Sequence, residues 1–433
     1  MALAPADEAE VRRLIEAAER ARASGNPAEA RRFLSQAQGR APDHPLVLNE
    51  SGVEKLHTGD AAAARMLLER AIAQDAKNPA FWLNLASAFR GLDLPDQESR
   101  ALDRVLALEP RHLLGLLQRG TLLERQGQPK AAAKVYHNAL LTIPRGAKLP
   151  ESLRPAIQRA LDAVRNNYAA LDSFLAEQLC SVRGQHTGAS QDRFDHCIDS
   201  FLGRRRIFTP EPSFLNFPKL PPWEFYRRED YPWLSEIEAA TPAIREEFER
   251  VFTEDSQRLE PYIAYPEGVP LDQWAELNHS RRWSVFYLWR DGEPVPEHQQ
   301  RCPKTTQLLR STPMSDVPGY APTAFFSILD ARSHIPAHTG VTNTRLIVHL
   351  PLVIPPGCRF RVGSETREWQ AGKAWVFDDT IEHEAWNDSD VPRAILIFDI
   401  WNNFLSAAER DLVRTAVQGI REYYRDEVPI KAS

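Results

Sequence analysis

Between residues 11 and 144 one pattern returns every 34 positions, and no other feature of the chain restricts its fold so tightly. Leu14, Leu48, Trp82 and Leu116 share one position of the register, and Ala18, Gly52, Ala86 and Gly120 share the next key one. Gly25, Gly59, Asp93 and Gly127 mark a turn, followed by Leu34, Leu68, Leu102 and Tyr136. Ala37, Ala71, Val105 and Ala139 come after these, and Pro42, Ala76, Pro110 and Pro144 close each unit. Small residues let two helices approach closely, and large ones fill the seam between them. A single helical hairpin of this kind cannot bury its apolar face, whereas four in a row share one continuous core. An α-solenoid over residues 1–148 is the expectation.

The 34-residue period resembles the tetratricopeptide repeat, which implies a concave face able to hold an extended peptide or protein partner. Residues 149–205 stay helical in pattern, with apolar residues three and four apart in SLRPAIQRALDAVRNNYAALDSFLAEQL, and read as a spacer. Within it GQHTGASQD (184–192) has the polar composition of a linker. Arg204, Arg205 and Arg206 read as a solvated face.

A hydrophobic content of 43%, 26% charged residues and a net charge of −6 describe a globular protein with no electrostatic pull toward nucleic acid or an anionic membrane. Uncharged apolar runs long enough to span a bilayer are lacking, and MALAPADEAEVRRL is unlike a secretory leader, so the cytoplasm is the expected location. Cys180, Cys197, Cys302 and Cys358 lack metal-type spacing and are expected as free thiols.

From Arg206 onward the pattern changes. FTPEPSFLNFPKLPPWEFYRREDYPWL (208–234) suits an irregular strap. TAFFSILD (323–330), RLIVHLPLVI (345–354), CRFRV (358–362), KAWVF (373–377) and RAILIFDIW (393–401) are short β-rich runs separated by Pro, Gly, Asn and Asp. That alternation predicts an antiparallel barrel over 206–433, closed by a C-terminal helix that Ser406 and Glu409 cap. Loops after two such strands can face each other at a barrel mouth, which would bring His338 and His383 to one metal ion. Arg393 shares a strand face with Ile395 and Ile397, and a guanidinium aimed into an apolar barrel needs an anion, best a carboxylate. Two imidazoles and such an arginine point to iron and 2-oxoglutarate.

The words HTGVTNTRLIVHLPLVIP (338–355), WQAGKAWVFDDTIEHEAWN (369–387) and RAILIFDIW are similar to those of the aspartyl/asparaginyl beta-hydroxylase family over roughly the last half of the chain. Gly340 strengthens the likeness: it stands where most two-His-one-carboxylate sites have the acid, and this family also has Gly there. The resemblance implies an α+β multidomain chain, the solenoid being followed by a double-stranded β-helix of jelly-roll or cupin type. It implies Fe(II) on His338 and His383, and 2-oxoglutarate with its distal carboxylate on Arg393 and Ser327. His349 would meet the other end of the cosubstrate, and Trp283 would line its pocket. Asp379 or Glu382 would hold a metal-bound water. The expected activity is a dioxygenase that hydroxylates the β carbon of aspartyl or asparaginyl residues in a peptide presented by the repeats.

One departure bears on substrate and one on compartment. Ile347 stands where some members of the family carry an arginine, leaving Arg345 as the cation expected to face the substrate, and Cys302 stands alone where the animal enzymes have a disulfide loop, which counts against a secretory-pathway location. A catalytically silent repeat adaptor, or hydroxylation of a small molecule or acyl chain, stays open as an alternative.

Overall fold

The computed structural model describes residues 5–144, 146–188 and 190–424, and the chain divides into two compact units, Met1–Ser190 and Gln191–Ser433.

In the first unit each 34-residue repeat becomes one antiparallel helix pair. The pairs are α1 (Pro5–Ala23) with α2 (Pro27–Arg40), α3 (Pro45–His57) with α4 (Ala61–Gln74), α5 (Pro79–Gly91) with α6 (Pro95–Leu108), and α7 (Leu113–Arg125) with α8 (Pro129–Leu140). The turn inside each pair needs one residue with positive φ, and the register supplies it at Gly25, Gly59, Asp93 and Gly127, with φ of 78°, 82°, 54° and 68°. Proline opens α2, α3, α5, α6 and α8, where its missing N–H has no helical partner to lose. Asn26, Asp60 and Asn78 cap α2, α4 and α5 through their side-chain oxygens. Small register positions are where helices meet: a Cβ on Gly120 would lie 2.3 Å from the Tyr136 ring. Trp82 differs from its register mates by being only half buried, with its indole N–H donated to the Ala76 carbonyl at 2.9 Å.

Helix α9 (Arg154–Gln185) belongs to this unit, because Ile157, Ala160 and Val164 cover the apolar face that Leu117 and Tyr136 leave open. The stretch 149–205, expected as one spacer, is therefore divided. Its helix α9 finishes the solenoid core, and α10 (Asp192–Phe201) opens the second unit. Among the described residues no helix is long and apolar enough to cross a membrane.

The second unit carries α11 (Leu234–Ala239), α12 (Thr241–Glu254), α13 (Pro296–Arg301), α14 (Pro303–Arg310) and α15 (Ala407–Tyr423) around two antiparallel sheets. The large sheet uses β1 (Glu260–Pro261), β2 (Trp283–Arg290), β4 (Ala324–Leu329), β11 (Arg393–Trp401), β6 (Arg345–Val353) and β9 (Trp375–Phe377) in that order, with β3 (Glu293–Pro294) on β2. The small sheet runs β5 (Ser333–His338), β10 (His383–Asn387), β7 (Cys358–Val362) and β8 (Glu365–Glu368).

Side chains alternate across each strand, and this divides the large sheet's residues between two cores. Phe326, Val348, Leu346 and Leu396 pack outward with Ile244, Phe248 and Val251 of α12. Trp283, Leu329 and Ile395 turn inward, meeting Ile335, Phe360 and Ala385 of the small sheet. The two sheets thus face each other, the double-stranded architecture that the β-rich runs predict. Strand β5 was absent from those runs, since SHIPAH is polar and contains Pro336. The 208–234 strap is irregular, tied to the barrel by Phe214 N–H to the Val341 carbonyl (2.9 Å) and Tyr226 N–H to the Val376 carbonyl (2.9 Å). Ser406 and Glu409 form the capping box of α15.

Candidate active site

A cavity of about 790 Å³ opens between the inner faces of the two sheets, and His338, His383, Arg393, Ser327, Trp283, His349, Arg345 and Asp379 all line it.

The two histidines lie at strand ends, where loops were expected. His338 ends β5, His383 begins β10, and they are direct partners in the antiparallel ladder. Their ring centroids are 4.1 Å apart. Each imidazole Nδ1 lies against a backbone carbonyl two residues earlier, Pro336 at 2.7 Å for His338 and Ile381 at 3.0 Å for His383. A carbonyl only accepts, so both Nδ1 atoms carry the proton and both Nε2 atoms present a lone pair. Burial pushes the His338 imidazole down to about 4, and burial with the neighbouring His338 holds His383 well below its ordinary value. The pair is therefore neutral at physiological pH, the form that binds a metal ion.

Gly340 and Asp379 form one local arrangement. A Cβ at residue 340 would lie 2.2 Å from Asp379 Oδ2, so the Asp379 carboxylate fills the space that a side chain there would take. Backbone N–H of Gly340 donates to the Asp379 carbonyl at 2.6 Å. Asp379 Oδ1 is buried without a hydrogen-bond partner, and burial raises the carboxyl to about 7. Glu382 is engaged elsewhere, in an ion pair with Arg361 at 2.9 Å. Of the two carboxylates considered from the sequence, Asp379 is the one that stands beside Gly340.

At the start of β11, Arg393 is about 1% exposed, and among the described residues no carboxylate pairs with it. Its guanidinium reaches Ser327 Oγ at 3.5 Å and lies over the Trp369 ring at 4.8 Å, while Nε has no partner. Burial depresses its basicity to about 10. Trp283 Nε1 donates to the same Ser327 oxygen at 3.1 Å. His349 stands two positions beyond Ile347 on the inner face of β6, with Nδ1 buried and unpartnered. Burial and the nearby Arg393 charge keep it neutral. A buried cation, an orphaned imidazole nitrogen and a hydroxyl around one space describe a receptor for an anion with further polar groups.

Arg345 lines the cavity in an ion pair with Asp399 at 2.5 Å, and Asp399 also accepts from Thr323 N–H at 3.1 Å. Burial opposes the Arg345 charge, but Asp399 together with Tyr320, Asp379 and Tyr262 more than offsets it and holds the guanidinium above its ordinary value. Its charge is already matched within the fold, which leaves it a weaker substrate cation than expected.

Sequence reasoning passed over the opposite wall. Tyr262 stacks on Trp283 with centroids 4.1 Å apart, and Trp274 meets His338 edge-on at 5.0 Å. The aromatic density of PYIAYPEG (261–268) was the available signal.

Residues 238–403 match the family model for aspartyl/asparaginyl beta-hydroxylase. The similar proteins include the ornithine lipid ester-linked acyl 2-hydroxylase of Rhizobium tropici, 35% identical over 188 residues that cover 43% of this chain and 63% of that one. Human aspartyl/asparaginyl beta-hydroxylase is 38% identical over 146 residues, 33% of this chain and 19% of its own. Human aspartate beta-hydroxylase domain-containing protein 2 is 32% identical over 211 residues, 48% and 54% of the two chains. The chain spans less than two thirds of each of these relatives. Among solved structures, a thermophilic TPR protein of Thermus thermophilus aligns with a TM-score of 0.31 and 19% identity, covering 37% of this chain and 89% of that one.

Proposed function

We propose that the second unit is an Fe(II)- and 2-oxoglutarate-dependent dioxygenase that hydroxylates the β carbon of an asparaginyl or aspartyl residue, in a peptide or protein bound by the repeat unit. The observation that carries this is Arg393, a buried and unpaired guanidinium in the same cavity as two neutral imidazoles whose Nε2 lone pairs are unclaimed. Leaving such a charge unmatched costs several kcal/mol, which a bound dicarboxylate recovers. The remaining donors fit that ligand, because the Ser327 hydroxyl and the orphaned His349 Nδ1 line the same space.

When bound, iron and 2-oxoglutarate supply the oxidising chemistry: oxygen is split so that one atom ends in succinate, with release of CO2, and the other in the hydroxylated product. The protein's part is positional. Arg393 and Ser327 hold the distal carboxylate, and the Trp283 N–H fixes the serine oxygen. His349 meets the other end of the cosubstrate. With the metal bound, Asp379 would be the acceptor for a water in the position that an acid at residue 340 would otherwise occupy. Tyr262 and Trp274 wall off solvent. The proposed compartment is the cytoplasm, since all four cysteines are free thiols.

A second reading, hydroxylation of an acyl chain, draws on the apolar floor formed by Ile347 and Ile397 and on the name of the Rhizobium relative. Anaerobic addition of Fe(II) and 2-oxoglutarate to the full chain, followed by oxygen, tests the reaction class. A cosubstrate-dependent absorbance band and succinate release are expected. Neither signal in the wild-type protein would leave a repeat adaptor with a silent barrel.

A further inference from the structure

The positive charges of the cavity are few, and their partners can be named. Three arginines line it, Arg290, Arg345 and Arg393. Arg345 is held by Asp399 at 2.5 Å and Arg290 by Glu260 at 3.0 Å. Arg393 lies at the end of β11 farthest from Asp399, with Ser327 and Trp283, and on the proposed function it is taken by the cosubstrate. Of the six lining carboxylates, Glu260 and Asp399 are the partners of those arginines, Glu382 and Glu384 pair with Arg361 at 2.9 and 2.5 Å, and Asp291 and Asp379 have no ion pair among the described residues. Of the four lining histidines, His349 and His383 are buried, His338 is half-buried beside His383, and His279 is exposed and engaged with the Tyr265 carbonyl at 2.8 Å.

Between the Arg393 end and the Arg345–Asp399 pair the floor is apolar. Nearly every residue of β6 and β11 is fully buried. Ile347 and Ile397 are half-exposed in mid-strand, because their side chains face the open cavity. They are neighbours across the sheet, since Ile347 is opposite Asp399 and Ile397 opposite His349. Phe325 continues this floor on β4 and Tyr262 faces it.

We infer that the substrate group brought to His338 and His383 is uncharged, with Ile347 as the position that sets this selectivity. The inference rests on the 2-oxoglutarate reading, which assigns Arg393 to the cosubstrate. A carboxylate delivered here would lose its hydration over an apolar floor and find each remaining guanidinium of the lining already matched. An amide pays no such penalty, since it carries no net charge. Within the peptide reading the residue hydroxylated is therefore asparaginyl and not aspartyl.

Paired peptides that differ only in Asn or Asp at the acceptor test this on the full chain. Binding is measured by calorimetry on protein loaded with Mn(II) and 2-oxoglutarate, and hydroxylation by mass spectrometry with Fe(II) and oxygen. The asparaginyl peptide is expected to bind at least about tenfold tighter, a difference of ~1.4 kcal/mol, and to be the one that gains oxygen. Ile347→Arg places an unmatched guanidinium on the floor and is expected to shift the preference toward the aspartyl peptide by about tenfold or more. Ile347→Leu keeps the wild-type preference and controls for packing, and 2-oxoglutarate binding confirms that each variant is folded. Equal or tighter binding of the aspartyl peptide by the wild type overturns the inference, as does an unchanged preference in folded Ile347→Arg. Turnover of a neutral acyl chain with no peptide bound would uphold the charge selectivity and sink the peptide part of the proposed function. Loss of all 2-oxoglutarate binding would instead strike at the reaction class.

Discussion

At the scale of single residues, the cavity combines groups that stabilise nothing in the empty fold. Arg393 is the clearest, because its burial is opposed by desolvation and offset by no carboxylate. An apolar residue of similar length avoids the desolvation cost of a buried charge that no carboxylate offsets. Arg393→Met is therefore expected to melt no lower than the wild type without ligand, while 2-oxoglutarate ceases to raise its Tm. A large drop in the ligand-free Tm would mean that Arg393 serves the fold. The histidine pair makes a prediction of its own. Burial keeps His338 neutral down to about 4, against an ordinary imidazole value of 6.5, and His383 is held lower than ordinary for the same reason. Between these pH values the unfolded chain binds protons that the folded one refuses, so metal-free stability falls on acidification across that window and is regained on raising the pH. In denaturant titrations the slope with pH is expected to flatten in His338→Gln/His383→Gln. An identical slope in that variant would assign the acid sensitivity to other groups.

The elements owe their shape to where small and large residues alternate. In α7, Gly120 permits Tyr136 of α8 to lie against the helix backbone, with the phenol donating to Glu124 at 2.9 Å. Gly39, at the exposed end of α2, has open space where a Cβ would go. Gly120→Ala should destabilise the solenoid by ~1–3 kcal/mol through overpacking. Gly39→Ala should stabilise it by up to ~1 kcal/mol through reduced freedom of the unfolded chain. Urea titrations followed by far-UV circular dichroism compare the two, and a neutral Gly120→Ala would disprove the tight approach. In the barrel the decisive elements are β5 and β10. Their pairing sets the imidazoles side by side, although 45 positions separate them in the chain. Polar SHIPAH gives little strand signal on its own, and it becomes a strand because β10 offers it a ladder.

On the scale of the whole molecule, two compact units, each with its own buried apolar clusters, predict two thermal transitions. Mn(II) with 2-oxoglutarate at about 100 times its Kd is expected to stabilise one of them by ~2.7 kcal/mol and leave the other in place. Calorimetry that shows both transitions moving together would place the ligand's effect outside the barrel alone.

Much of this organisation could be read from the chain itself. The 34-residue register located the helix pairs because each repeat obeys a local rule, small at the contact and positive φ at the turn, which needs no knowledge of distant residues. Period-two alternation put Arg393 and His349 on inward strand faces, whereas His338 and His383 were expected from facing loops and Ser327 and Trp283 from the family resemblance alone; all six line one cavity. What tertiary structure alone decided depends on residues remote in sequence coming into contact. The Asp379 carboxylate fills the space beside Gly340, while Glu382 is paired with Arg361. Arg345 is paired with Asp399, 54 residues away in the chain. Charge matching inside a cavity is a sum over everything that lines it, and a linear sequence does not contain that sum until the sheets have closed.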